Sequence, residues 1–240
     1  MDKLKKRLID SFLYRIKKLY SLFDPSVLYS KESFSQEGED LFLEELFQGQ
    51  SKGFYIDVGC FHPWRFSNTA KLYKKGWKGV VIDPNPDVIK LFEKQRKNDL
   101  SCETGISNTV GRLEYYQFSE AAENTFNKRL ADELVEKYSA YEVKEVPVVT
   151  LKSLLNQVLQ EGQSIDLMDV DAEGYDYEVL VSNDWELYRP KYLLVEDFVE
   201  AELFSLKSSK VVKFLEKQNY SLVNKIGRSL VFKDSRLTGK

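Results

Sequence analysis

FYIDVGCFHPWRFSNTAKLYKKGWKGVVIDPNP (residues 54–86) is the stretch from which the rest of the chain can be read. Phe54–Val58 is a short apolar run ended by Gly59, the mark of a strand covered on both faces. Thr69 to Lys75 reads as a helix. Gly79–Ile82 is a second buried strand, stopped by Asp83-Pro84-Asn85-Pro86. A strand, a helix and a second parallel strand make a right-handed crossover. In such sheets the ligand lies beyond the carboxyl ends of the strands, where the strand order reverses. Asp57, Gly59 and Asp83 therefore share one edge. Asp83 follows Gly59 by 24 residues, the separation at which an acid accepts hydrogen bonds from ribose hydroxyls. A second glycine is missing between Gly59 and Gly76, so there is no G-x-G-x-x-G cradle for a pyrophosphate. No G-x-x-x-x-G-K-[ST] occurs either. S-adenosylmethionine, which has a ribose and no phosphate, fits this pattern better than a dinucleotide.

The alternation continues on both sides. Asp87 can cap a helix carrying Val88, Leu91 and Phe92, and Ser101–Ile106 reads as a third strand. Residues 112–117 give an extra strand, and 124–142 a polar, partly helical excursion. Val146–Val149 leads into a helix capped by Thr150. Ile165–Val170 is a fourth buried strand, with helix Tyr175–Val181 after it. Tyr192–Val195 is a fifth, with helix Ser208–Gln218 after it. The chain closes on a hairpin, Ser221–Val223 and Ser229–Phe232 around Gly227. This predicts an α/β, doubly wound, mostly parallel sheet with an antiparallel C-terminal hairpin. That ending is expected of a class I methyltransferase, a Rossmann-like sheet.

Composition agrees. The 240 residues carry 35 Lys+Arg against 38 Asp+Glu, a net charge of −3, with 42% hydrophobic residues. That excludes a disordered chain and argues against a dedicated nucleic-acid binder. Two cysteines exclude a disulfide scaffold and suit a reducing compartment; the expected location is cytoplasmic. With strand two between strands one and three, Cys60 and Cys102 lie about 10 Å apart, too far for a bridge.

Residues 1–23 differ from the rest. Seven basic residues against Asp2 and Asp10 give +5, leaving −8 for the remainder. Leu4, Leu8, Phe12, Ile16 and Leu19 recur at three- and four-residue steps, predicting an amphipathic helix ended by Asp24-Pro25. We therefore divide the chain into a basic helical extension, 1–32, and a catalytic domain, 33–240. The helix either packs on the domain or lies on an anionic membrane surface, which would place the protein at the inner face of the membrane. Homo-oligomerisation stays open.

FYIDVGCFHPWRFSNT (54–69), GWKGVVIDPNP (76–86) and IDLMDVDAEGYDYEVL (165–180) together resemble the FkbM-type methyltransferases, and SFSQEGEDLFLEELF (33–47) resembles the segment leading into the first strand in one branch of that family. The resemblance implies S-adenosylmethionine as methyl donor and O-methylation, often of sugar hydroxyls in bacterial polysaccharides and glycolipids. The common Asp-Val-Gly-Ala-Asn is Asp57-Val58-Gly59-Cys60-Phe61 here, and Ile-Asp-Val-Glu-Gly is Val170-Asp171-Ala172-Glu173-Gly174. Expected cofactor residues are Gln36, Asp57, Gly59, Cys60, Asn68, Asp83, Pro84, Ser107 and Asp171. Asp171, Glu173 and His62 are the expected catalytic residues, because a sugar hydroxyl must lose its proton as it attacks. Asp171, Glu173, Glu196 and Asp197 could also hold Mg²⁺. Two rival functions remain: a metal-dependent glycosyltransferase using Asp169 and Asp171 as a D-x-D, and a non-catalytic cofactor-binding scaffold.

Overall fold

The computed structural model describes residues 3–198 and 205–237. It separates into two compact units, residues 1–33 and 34–240.

The first unit contains helix α1 (Lys3–Tyr20) and a short 3-10 turn, Pro25–Leu28. The helix stops at Tyr20 rather than running to Asp24. Asp24 instead caps the 3-10 turn, accepting the Ser26 N–H at 3.0 Å.

The second unit is built on a seven-stranded sheet. Its elements are α2 (Glu39–Leu46), β1 (Phe54–Val58), α3 (Ala70–Lys75), β2 (Lys78–Asp83), α4 (Pro86–Gln95) and β3 (Leu100–Glu103). Then come β4 (Gly105–Ile106), β5 (Gly111–Gln117), α5 (Lys128–Tyr138), β6 (Glu142–Val149) and α6 (Leu151–Val158). The last are β7 (Leu167–Val170), α7 (Asp176–Val181), β8 (Tyr192–Glu196), α8 (Lys210–Lys217), β9 (Tyr220–Ile226) and β10 (Ser229–Asp234). The main sheet runs β3-β2-β1-β7-β8-β10-β9. The first five strands pair in parallel, and β10 is antiparallel to both β8 and β9. This is the class I methyltransferase arrangement with its terminal hairpin.

The period-2 alternation of β1 divides the core. Ile56 and Val58 face one hydrophobic cluster with Leu151 and Leu155 of α6, Leu180 of α7 and Leu215 of α8. Tyr55 faces the other, with Leu43 of α2, Leu72 of α3 and Phe92 of α4. Helices thus cover both faces, which is why the central strands are buried throughout. β1 is flanked by β2 and β7, with Val58 in register with both Ile82 and Val170. Gly59, Asp83 and Asp171 consequently emerge side by side at the point of reversal.

The expected third strand is two. β3 ends at Glu103, and after Thr104 the chain leaves the main sheet. β4 pairs with β6 in a separate three-stranded sheet, β4-β6-β5. The cap of α4 is also Asn85 rather than Asp87. Its side chain accepts the Asp87 N–H, with Pro86 in the first turn. Thr150 caps α6 as expected. Cys60 and Cys102 are both free thiols, on β1's exit and on β3, with β2 between them.

Candidate active site

A cavity partly open to solvent lies over the carboxyl edge of β1, β2 and β7. Gly59 lines it with φ +83°, and a Cβ there would stand 1.7 Å from the Asp171 carbonyl oxygen. Only glycine lets the two strand exits meet. Asp83 lines the same cavity while 6% exposed. One of its oxygens accepts the Asn85 N–H at 2.7 Å. Burial raises the Asp83 carboxyl to about 7. A ribose diol donating to this carboxylate would replace the lost solvation and favour the charged form.

Ile82, Ile106, Phe126 and Ala121 provide apolar walls for a flat ring, and Gln36, Pro84 and Asp171 complete the lining. S-adenosylmethionine therefore fits the cavity chemically. Asp83 would accept from the ribose hydroxyls, the apolar wall would take the purine, and Asp171 would offer a carboxylate to the sulfonium end. The Oδ1 of Asp171 is sequestered from solvent without a hydrogen-bond partner.

The backbone around the cavity is unusual. Phe61, Phe66 and Glu173 have φ of 44°, 52° and 48°, and all three line the cavity. Non-glycine residues in this left-handed region cost on the order of 1 kcal/mol or more each. The turn bearing Glu173 is held by Asp176, whose carboxylate accepts the Ala172 N–H at 2.9 Å and the Gly174 N–H at 3.1 Å. Asp176 is buried, and burial together with nearby Asp171 raises it to about 8.

A second, wider cleft meets the first at Gln36, Phe66 and Asp171. Its wall carries six carboxylates (Glu37, Glu39, Glu123, Glu133, Asp171 and Glu196) against Lys137 and Arg228, together with Phe66 and Phe198, over whose rings the Arg65 and Arg228 guanidinium groups stand at 4.5 and 4.8 Å. Lys137 is engaged by Glu123 at 3.0 Å, and Arg228 stands 3.9 Å from Glu196. Asp171, Glu173 and Glu196 each bring an oxygen within 4.8 Å of the others. Burial, then mutual repulsion, raises Glu173 and Glu196, and burial raises Asp171. This trio can accept a proton and has the oxygen donors for a divalent cation. Asp197 stands apart from the trio, with its carboxylate accepting the Ser209 hydroxyl.

Other expected site residues lie elsewhere. Asp57 lines neither cavity; it is 4% exposed and accepts the Thr69 hydroxyl at 2.5 Å. Cys60 is packed in the core with Tyr55 and Leu72. Asn68 faces the second cleft and donates to Asp169 at 3.4 Å. Ser107 is fully buried beside the Tyr175 hydroxyl, 3.2 Å away. His62 lines neither cavity. Its Nδ1 accepts the N–H groups of Trp64 and Arg65, both at 3.0 Å, so it pins a loop. Burial, then Arg65, lowers its pKa. Asp169 is 3% exposed, so Asp169-Val170-Asp171 does not present two carboxylates to one cavity as a D-x-D must.

Sequence reasoning missed Tyr115, Asn124 and Phe126. They come from β5 and from the segment after the 3-10 turn Ala121–Glu123, and close one wall of the first cavity. No local motif marks them. Only the pairing of β5 with β6, and the Tyr116–Thr125 bridge, bring them there.

Several solved methyltransferase structures resemble the fold, although distantly. A protein assigned to the type 11 methyltransferases, from Sulfolobus solfataricus, is 10% identical, covering 87% of this chain and 97% of its own, with a TM-score of 0.43. A TehB-like SAM-dependent methyltransferase from Corynebacterium glutamicum is 10% identical, covering 92% and 98%, with a TM-score of 0.42. A protein assigned as a caffeoyl-CoA O-methyltransferase, from Staphylococcus aureus, is 11% identical, covering 96% and 98%, with a TM-score of 0.44. Among curated proteins none matches the sequence significantly. The methyltransferase FkbM domain, however, matches residues 49–222, from just before β1 into β9. The chain belongs to the FkbM methyltransferase family and is an S-adenosylmethionine-dependent methyltransferase.

Proposed function

We propose that this enzyme methylates a hydroxyl of a sugar or glycan, with the acceptor lying in the carboxylate-lined cleft. The observation that carries the reading is the meeting of that cleft with the cofactor cavity at Asp171. Carboxylates accept hydrogen bonds from the many donors of a sugar. Six carboxylates against two cations also disfavour acceptors bearing phosphate or carboxylate groups. The expected acceptor is thus neutral or amino-bearing, rather than a nucleotide sugar.

Bound S-adenosylmethionine supplies an electrophilic methyl group. The chain's own part is to hold the hydroxyl in line and to receive its proton. Asp171 is the proposed acceptor of that proton. Glu196, placed within reach of it, holds its orientation, and burial raises the basicity of Asp171. As the oxygen–carbon bond forms and the carbon–sulfur bond breaks, the hydroxyl proton passes to the carboxylate.

The test is methyl transfer to a panel of neutral, amino and phosphorylated glycans. Asp171→Asn should lower kcat by about 10²–10⁴-fold. Transfer to phosphorylated acceptors alone would overturn the assignment of the cleft. Chelation separates two roles for the trio. Activity that survives EDTA leaves a carboxylate as base, and activity lost on chelation and restored by Mg²⁺ assigns the trio to a metal.

A further inference from the structure

The N-terminal unit has a surface that methyl transfer does not use. Helix α1 is 18 residues long, and from Phe12 onward its described apolar side chains are exposed. Phe12, Ile16 and Leu19 follow one another at four and three residues and share a face. They are 63%, 47% and 65% exposed, and Leu22 and Phe23 beyond the helix are 76% and 88% exposed. Tyr14, Tyr20 and Tyr29 are exposed as well. Arg15, Lys17 and Lys18 are exposed off the apolar stripe. With the four basic residues nearer the start, they give residues 1–23 a net charge of +5, against −8 for the rest.

We infer that α1 and the turn after it form a docking surface for an anionic phospholipid membrane. Two independent demands meet here. An apolar face of phenylalanine and leucine gains from entering the acyl boundary. Tyrosines and cations gain from the headgroup level beside it. A nucleic acid would satisfy the cations and leave the phenylalanines in water. An acidic protein would answer the charge but needs a preformed groove for the apolar stripe. The anionic bilayer answers both, and the charge match is the deciding observation. Binding is reversible, because one amphipathic helix carries far less apolar area than a spanning segment. Among the described residues no helix is long and apolar enough to cross a membrane.

The experiment uses the full chain with two sets of vesicles, phosphatidylcholine alone and phosphatidylcholine with phosphatidylglycerol. Co-sedimentation should be about tenfold stronger or more with the anionic vesicles, and should fade as salt rises toward roughly half-molar. Two multiple variants, Arg15→Glu/Lys17→Glu/Lys18→Glu and Leu19→Ser/Phe23→Ser, should each lose vesicle binding, while melting temperature and S-adenosylmethionine affinity stay unchanged. Three results would overturn the inference. One is equal binding, or none, to both vesicle types. Another is a lowered melting temperature in Leu19→Ser/Phe23→Ser, which would mean that the apolar face is covered by the rest of the chain. A third is a dimer of the natural protein that this variant dissociates, which would make a second copy the occupant.

Discussion

As the proposed partner of the ribose, Asp83 joins the two demands placed on a cofactor site, affinity and charge. Asp83→Ala should weaken S-adenosylmethionine binding by roughly 2–4 kcal/mol, the loss of two charge-assisted hydrogen bonds, measured by calorimetry. Its carboxyl is raised to about 7 by burial, and ribose hydroxyls favour the carboxylate. Binding near pH 6.5 should therefore release a proton, and affinity should rise as pH passes through about 7. Calorimetry in buffers of different ionisation enthalpy reads this directly. Heat independent of buffer would separate Asp83 from the ribose. Gly59→Ala should destabilise the fold severely, since the new methyl meets the Asp171 carbonyl at 1.7 Å; thermal unfolding checks it. The placement of Gly59, Asp83 and Asp171 on one edge of the sheet was legible in the sequence because each directly follows or ends a strand. Asp57 and His62 were not, because their roles depend on partners. Asp57 looks like a ligand contact until the Thr69 hydroxyl is seen to occupy it. His62 looks catalytic until its Nδ1 is seen to hold two loop amides.

Between elements, one buried arginine fixes the loop that leaves β1. Arg96, fully buried at the end of α4, pairs with Asp99 at 2.8 Å. It also donates to the Tyr55 and Thr69 hydroxyls at 2.5 and 3.0 Å, and to the Pro63 carbonyl and the Ser67 hydroxyl at 3.4 and 3.3 Å. The 63–69 segment is thereby stitched to β1 and α4. Asp99→Ala leaves the guanidinium unpaired in the core and should cost about 3–5 kcal/mol, measured by urea unfolding. Element order was legible because apolar runs and helical periods alternate so regularly. Two boundaries were not. Pro86 settles the cap of α4, since proline belongs in a helix's first turn and so puts the cap at Asn85. The split of residues 100–106 left no trace in the pattern, because Gly105 and Ile106 are as buried in the small sheet as they would be in the large one.

Across the whole molecule, buried carboxyl groups set the dependence of stability on pH. Asp83 and Asp176 are raised to about 7 and about 8, and burial raises Asp57, Asp171, Glu173 and Glu196 as well. Between the unfolded value near 4 and these folded values, the native state holds more protons than the unfolded chain. Stability must then fall as pH rises. The melting temperature of the cofactor-free protein should peak near pH 5 and decline toward pH 9, and S-adenosylmethionine should flatten that decline. A flat profile without cofactor would mean that these carboxyls titrate normally. The small β4-β6-β5 sheet matters at the same scale. It has its own ladder, separate from the seven-stranded one, and Tyr115 of its strand β5, with the nearby Asn124 and Phe126, forms one wall of the first cavity. Local opening follows such hydrogen-bonded units. The residence time of the cofactor should therefore follow the opening of the small sheet. Amide hydrogen exchange should slow in residues 105–149 when S-adenosylmethionine binds, while β1, β7 and β8 keep the protection they already have.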